Sequence, residues 1–539
     1  MSARLGVLGQ TLAATALATM LAVVTAAPAP AATGSLLRND TGLYPRAIRL
    51  EHNGAANGRV LASVVTFGGN PVDGLGAIYE STDAGATFAQ VGTVADPEAG
   101  DGRGLCCSTL YELPQQIGAM PAGTLLWAAS VRADARPMAI RIWKSNDIGR
   151  SWSYLSNCVT APNTRGTWEP EFSVASDGRL VCHYADETDA AHSQKLMKVR
   201  STDGITWTDR SASVASTASG HRPGMPVVRK LPDGRYVMVY EICGLGGQYD
   251  CVVHWRDSAD GWSWGTPSAL GIRPQTVDGK YFTHTPTLAW APSVGNSSGK
   301  LLLVGQILQN ANGSVAADNG RTVLVNTEGA HGNWYEIPAP VAVTNPYNNF
   351  CPNYSSPLLP SADGARVLEI ATDYDGPVCK PYYATASAIG SQDAAGIVSG
   401  ATYRAVAVIS GHCLDVAADS RVPGGNIQQW TCNGLGPQNF VVTHRAEGWY
   451  TFVGQNSQLC MDVENGSPDA GADVRQWTCN AAPAQDWRIV NVGRGYYKVV
   501  SRASGHCLDV AGGSGAPGAN VAQWFCNNLA PQTWRFERR

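Results

Sequence analysis

The chain has 539 residues, too many for one hydrophobic core, so two or three domains are expected. It carries 59 Gly, 31 Pro, 16 Trp and 19 Tyr but only 15% charged residues, a composition suited to short strands and tight turns rather than long surface helices. A net charge of −4 with no basic stripe argues against nucleic acid as a partner.

Residues 1–32 read as a secretory signal. Arg4 precedes an apolar stretch from Leu5 to Val24, and small residues follow from Ala26 to Ala32. A membrane anchor is the alternative, opposed by the Ala, Thr and Gly content of the stretch and the Ala-Pro segment that ends it. No later stretch is long and apolar enough to span a bilayer. The expected product is a secreted, extracellular monomer with no membrane attachment after signal cleavage, its 14 cysteines available for disulfides.

From residue 33 to 390 a loose unit recurs: an entry strand, often with proline, a Gly-containing turn, an apolar strand and one or two outer strands. The entries include Tyr44-Pro45-Arg46, Ser108-Thr109-Leu110, Glu169-Pro170-Glu171, Met225-Pro226-Val227, Thr285-Pro286-Thr287 and Ser356-Pro357-Leu358. Six strand-like units of about 55–65 residues imply an all-β fold, a six-bladed β-propeller. Four units also share a turn: Ser81-Thr82-Asp83-Ala84-Gly85, Ser145-Asn146-Asp147-Ile148-Gly149, Ser201-Thr202-Asp203-Gly204 and Ser258-Ala259-Asp260-Gly261, each followed by an aromatic. The Asp is expected to bond amides of its own turn and the Gly to supply a positive φ. These turns resemble the Asp-box of sialidase-like propellers and are structural rather than catalytic.

In a propeller the entry residues of the innermost strands sit at the mouth of an axial pocket. Arg46, Glu169, Arg222, His284 and Tyr354 are therefore lining candidates. Hydrolysis of a glycosidic bond needs two carboxyls, and Glu169 and Glu241 come from adjacent units, where a separation of about 5–6 Å is feasible. Each follows an aromatic, Trp168 or Tyr240, that offers a sugar-stacking platform. Glu241 ends an apolar strand, where burial perturbs its pKa. Strict alternation would point Glu171 the same way as Glu169, so either is a candidate acid, and Asp186 and Glu187 are further candidates.

The segments Tyr44-Pro45-Arg46, Leu110-Tyr111-Glu112-Leu113-Pro114, Trp168-Glu169-Pro170 and Tyr240-Glu241 resemble exo-α-1,5-L-arabinanases of glycoside hydrolase family 93, over roughly residues 36–390. The resemblance implies a retaining enzyme, with Glu169 as general acid/base, Glu241 as nucleophile and Tyr354 orienting the nucleophile. A sialidase on the same scaffold is the alternative; it needs three arginines, of which Arg46 and Arg222 could be two and no third is evident. A propeller that only binds glycans is another. Among the cysteines here, Cys243 and Cys251 bracket a Gly-rich loop and Cys351 and Cys379 could close the sixth unit. Cys106 and Cys107 stay unassigned, with Cys158 and Cys182 available. The absence of paired CxxC spacing argues against zinc, and no metal, cofactor or phosphate-loop motif is found.

Residues 391–400 read as a linker. From 401 to 539 a unit recurs with a period of 47: Cys413-Leu414-Asp415-Val416, Cys460-Met461-Asp462-Val463 and Cys507-Leu508-Asp509-Val510, with Trp430, Trp477 and Trp524 and a QxW or QxF ending. Three such copies resemble a ricin-B-type β-trefoil of carbohydrate-binding module family 13. The resemblance implies disulfides Cys413–Cys432, Cys460–Cys479 and Cys507–Cys526, and sugar contacts from Asp415, Asp462 and Asp509 with stacking on Trp430, Trp477 and Trp524. It also places Phe440, Trp487 and Trp534 in the core. The Asn expected before each Gln is replaced by Pro437, Ala484 and Pro531, for which Asn433, Asn480 and Asn527 could substitute. The expected function is an arabinan hydrolase held on polysaccharide by a lectin module.

Overall fold

The computed structural model describes residues 32–539, apart from 68–73, 101–103, 134–135, 277–278, 294–295, 328, 333, 389–396, 398, 446–448, 494–495 and 528. The expected signal segment and most of the expected linker lie outside the described residues. All the regular structure described is β-strand and short 3-10 turns.

Six antiparallel sheets form the blades of a propeller. Blade one runs Leu43–Arg49, Val60–Thr66, Leu75–Ser81 and Ala89–Ala95, and blades two and three repeat this four-strand meander from Leu105–Glu112 and Thr167–Val174. Blade four starts at Arg222–Lys230 and Tyr236–Cys243 and has five strands, while blade five starts at Thr287–Ser293. Blade six (Leu358–Pro360, Arg366–Asp375, Val378–Ser387) takes its outermost strand from the other end of the chain, with Ser35 paired to Tyr383 and Leu36 to Tyr382. Second strands such as Leu180–Asp186 and Val60–Thr66 are buried along their whole length, because both faces pack on neighbouring blades.

The four Ser-x-Asp turns are built alike. In the first, Ser81 Oγ donates to Asp83 Oδ1 at 2.7 Å, Gly85 N–H donates to Ser81 Oγ at 2.8 Å, and Thr87 N–H donates to Asp83 Oδ1 at 2.9 Å. Gly85, Gly149, Gly204 and Gly261 all have positive φ. The following aromatics Phe88, Trp152, Trp207 and Trp264 pack into the cores between blades.

One irregularity repeats around the ring. In blades one to four the first strand carries a two-residue bulge whose first residue has positive φ: Tyr44 (51°), Cys107 (61°), Glu169 (60°) and Met225 (58°). Blades five and six place Thr285 (46°) and Ser355 (59°) in the same conformation at the entry to their first strands. Non-glycine residues rarely adopt such angles, and a bulge re-aims a side chain out of the alternating pattern.

The C-terminal strands close into a trefoil, with Ala401–Ala407 pairing Trp534–Arg538. Its core holds Leu414, Met461 and Leu508 together with Phe440, Trp487 and Trp534, all buried. The three copies lock together cyclically. The Gln429 amide donates to Ser514 and Ala516 carbonyls, Gln476 to Ser420 and Val422, and Gln523 to Ser467 and Asp469.

Seven disulfides use all 14 cysteines. Six join Cys158–Cys182, Cys243–Cys251, Cys351–Cys379, Cys413–Cys432, Cys460–Cys479 and Cys507–Cys526; the seventh joins the neighbours Cys106 and Cys107. No described helix is long and apolar enough to cross a membrane.

Candidate active site and lectin sites

The blade-three bulge decides which acid faces the axis. Trp168 pairs with Ala185 and Glu171 with His183, leaving Glu169 and Pro170 unpaired between them. Glu169 and Glu171 therefore do not share a face, contrary to the strict alternation expected. Glu171 is buried against the next blade, ion-paired to Arg229 at 2.6 Å and accepting from Thr109 Oγ1 at 3.2 Å. It is a strut between blades, not a second working acid or a substrate contact.

Glu169 accepts a hydrogen bond at 2.6 Å from the N–H of Met225, the bulge residue of blade four. Glu241 accepts one at 2.6 Å from the N–H of Thr285, the corresponding residue of blade five. Glu241 is paired with Gly224, and a Cβ on Gly224 would lie 3.2 Å from Glu169 Oε2 and 2.5 Å from Gln194 Nε2. One glycine thus separates the two acids. Burial pushes Glu169 up to about 7 from the ordinary carboxyl range. Burial, and then the charge of Glu169, push Glu241 up to about 8.

Arg222 acts on both carboxylates and is itself held by Glu187, by Gln194 Oε1 at 2.6 Å and by Ser193 Oγ at 2.9 Å. Burial of the Tyr354 hydroxyl, and then the neighbouring Glu241, Glu169 and Tyr44, keep it protonated well above its usual range. Arg46 lies over the Tyr44 ring at 4.2 Å and donates to Ser355 Oγ at 2.9 Å, its charge reaching Glu169 and Tyr354. His284 is half-buried beside Cys243 and Cys251, whose sulfurs are bonded to each other and so offer a metal no thiolate. Burial lowers its pKa, favouring a neutral imidazole.

The aromatics beside the acids differ. Trp168 is half-buried, its indole crossing tightly over Gly166, and packs against the core between blades three and four. Tyr240 is fully buried, donates to the Leu270 carbonyl at 2.7 Å and stacks on His254. It is not a sugar platform: alternation along its strand turns it into the blade core when Glu241 turns toward the pocket.

Sequence reasoning left out several pocket groups. Tyr44 reaches across the axis, its hydroxyl donating to Met225 Sδ at 3.4 Å, and its ring lies 6.1 Å from that of Tyr354. The Tyr-Pro entry was its only signal. The amides of Met225 and Thr285 hold the acids through backbone, which no side-chain motif reveals.

The propeller is similar to the α-L-arabinanase of Penicillium chrysogenum, solved with arabinobiose, at 26% identity and a TM-score of 0.55, over 67% of this chain and 99% of that one. The α-L-arabinofuranosidase of Fusarium graminearum, also solved with arabinobiose, shares the fold at 22% identity and a TM-score of 0.54, over 66% and 97% of the two chains. The propeller is arabinanase-like. No curated protein matches the sequence. After the arabinanase-like propeller, residues 396–477, 437–524 and 483–539 match the model of the ricin-type β-trefoil lectin domain-like family.

In the lectin-like part, Asp415, Asp462 and Asp509 are nearly buried. Asp462 and Asp509 accept from the Gln of the QxW ending, Gln485 at 3.0 Å and Gln532 at 2.8 Å. Trp430, Trp477 and Trp524 stay 43%, 36% and 46% exposed, the ring edges of Trp430 and Trp524 lying against Gly518 and Gly471 of another copy. The Oδ1 atoms of Asn433, Asn480 and Asn527 are spent on amides of their own turns, those of Leu435, Ala482 and Leu529. The copies diverge at the position two residues before the Trp. Gln428 donates to Asp415 at 2.9 Å, Arg475 lies 4.2 Å over the Trp477 ring and 3.5 Å from Asp462, and Ala522, opposite Asp509, has no side chain long enough to reach over the Trp524 ring.

Proposed function

We propose that the protein is a secreted, retaining glycoside hydrolase that cleaves α-1,5-linked L-arabinan in exo fashion, held on polysaccharide by its C-terminal lectin module. The observation that carries this is the acid pair. Glu169 and Glu241 converge from adjacent blades on one axial pocket, electrostatically coupled, each fixed by a single backbone amide of the next blade. Two carboxyls with raised pKa values hold a proton near neutral pH, so one is an acid while its neighbour is ionised.

In this reading Glu169 protonates the leaving oxygen, and Glu241 attacks the anomeric carbon to form a glycosyl-enzyme. Glu169 then activates the water that releases the product. Tyr354 keeps its proton and orients Glu241, while Arg46, Arg222, His284 and the exposed part of Trp168 line the sugar site. The similarity to arabinan-active enzymes supports a neutral furanose. So does the engagement of Arg46 and Arg222 by protein partners, where a sialidase needs guanidiniums free for a substrate carboxylate. Seven disulfides and the signal-like N-terminus support export into an oxidising compartment.

Product analysis on linear α-1,5-arabinan, with a sialylated oligosaccharide in parallel, tests the reading. Short arabinose products that retain anomeric configuration are expected. Release of sialic acid would overturn it, and no turnover of either substrate would leave a glycan-binding propeller.

A further inference from the structure

The bulge residues of five blades are linked to one another around the axis. Tyr44 bonds Met225, the Met225 amide bonds Glu169, Arg46 beside Tyr44 bonds Ser355, and the Ser355 amide donates to Thr285 Oγ1 at 3.1 Å. The sixth place in this ring, between blade one with Tyr44 and blade three with Glu169, belongs to Cys107. The registers superpose: Cys106 pairs with Ser130 and Thr109 with Ala128, as Trp168 pairs with Ala185 and Glu171 with His183. Cys107 therefore occupies in blade two the position that Glu169 occupies in blade three. Cys106 takes the position of Trp168.

Both cysteines are half-exposed, whereas Cys158 and Cys182 are 4% and 0% exposed. The strand beyond them is pinned, with Ser108 and Thr109 buried and Thr109 bonded to Glu171 of the next blade. A disulfide between adjacent residues closes no length of chain, so it removes little entropy from the unfolded state. It is instead a fixed sulfur surface with no N–H or O–H to donate and no proton to exchange with the acids. The far side of the site has a similar surface, since Cys243 Sγ of another bridge lies 3.7 Å from Glu241 Oε1.

We propose that the Cys106–Cys107 disulfide is a substrate-contacting wall of the axial pocket, an apolar platform for the C–H face of the sugar bound beside Glu169. This rests on the arabinan reading. The hydroxyl-bearing side of the sugar then faces the arginines and the acid pair, and the bridge sets how deeply the ring enters.

The test compares wild type with Cys106→Ala/Cys107→Ala on linear arabino-oligosaccharides, reading KM, kcat and Tm separately. KM should rise about tenfold, the scale of a lost apolar contact, with kcat and Tm little changed. Cys158→Ala/Cys182→Ala, whose bridge is buried in the blade core, should instead lower Tm. A double variant that folds and keeps the wild-type KM overturns the proposal. The native protein supplies a second measurement: arabinobiose should slow reduction and alkylation of Cys106 and Cys107 without protecting Cys158. Absence of that protection overturns the proposal even if the variant fails to fold. A wild type that neither turns over nor binds arabino-oligosaccharides removes the functional reading and the proposal together, whereas an active wild type with an unaffected variant removes the proposal alone.

Discussion

At the acid pair, burial is the largest influence on both carboxyls, and each is partly relieved by one backbone amide. The pair is active with one proton. Above about 8 the pair loses that proton, and below about 7 it takes up a second, both steps belonging to the coupled pair. A bell-shaped kcat/KM profile centred near neutral is expected from initial rates at graded pH. Glu169→Gln and Glu241→Gln should each cost about 10²-fold or more in kcat. Only the Glu169 variant should recover on a substrate whose leaving group needs no proton, which separates acid from nucleophile. Gly224→Ala should lower kcat by about 10- to 100-fold with Tm nearly unchanged, because its Cβ would crowd Gln194 and displace Glu169, and small displacements are costly at a reacting centre. The pair itself is legible from residue type and from the strands that carry it. Glu171 misled because alternation assumes an unbroken strand, and the positive φ at Glu169 breaks it.

Single elements behave differently within their repeats. The trefoil is legible almost residue by residue, since its period of 47 repeats through cysteines, Asp, Trp and QxW endings. What the repeat hides is a position beside the Asp–Trp pair where the copies disagree. Arg475 covers the stacking face of Trp477, while Ala522 leaves Trp524 open. Asp509→Ala should therefore weaken retention on polysaccharide in a binding assay more than Asp462→Ala. Arg475→Ala should strengthen retention by uncovering a further site and adding avidity. The propeller bulges were not legible at all. The X-Pro dipeptides mark blade entries, but a one-residue slip in pairing leaves no trace in hydrophobic pattern.

Across the whole molecule, carboxyls buried in the native state bind protons that the unfolded chain releases. Burial pushes Glu369, deep in blade six with the Val341 amide as partner, up to about 8 alongside the acid pair. At these carboxyls the native state holds more protons than the unfolded state between the ordinary carboxyl range and pH 8, so their contribution to stability falls as pH rises through that window. Below the ordinary histidine range the buried, neutral His183 and His254 oppose this fall, so thermal melts should show Tm dropping from pH 7 to 8, and Glu369→Gln should flatten that slope. Blade count was legible from the repeated entries and turns. The source of the sixth blade's last strand was not, because Ser35 and Leu36 carry no pattern of their own.

That strand has a consequence for how the protein comes into being. Ser35 cannot find Tyr383 until nearly the entire propeller has emerged from the ribosome, so closure of the ring is among the last events of folding, not the first. Until then the first blade and the unfinished sixth present open edges to each other and to other chains. A nascent chain paused before residue 383 is therefore an aggregation hazard, and its lifetime is governed by the speed of chain elongation more than by the stability of any blade.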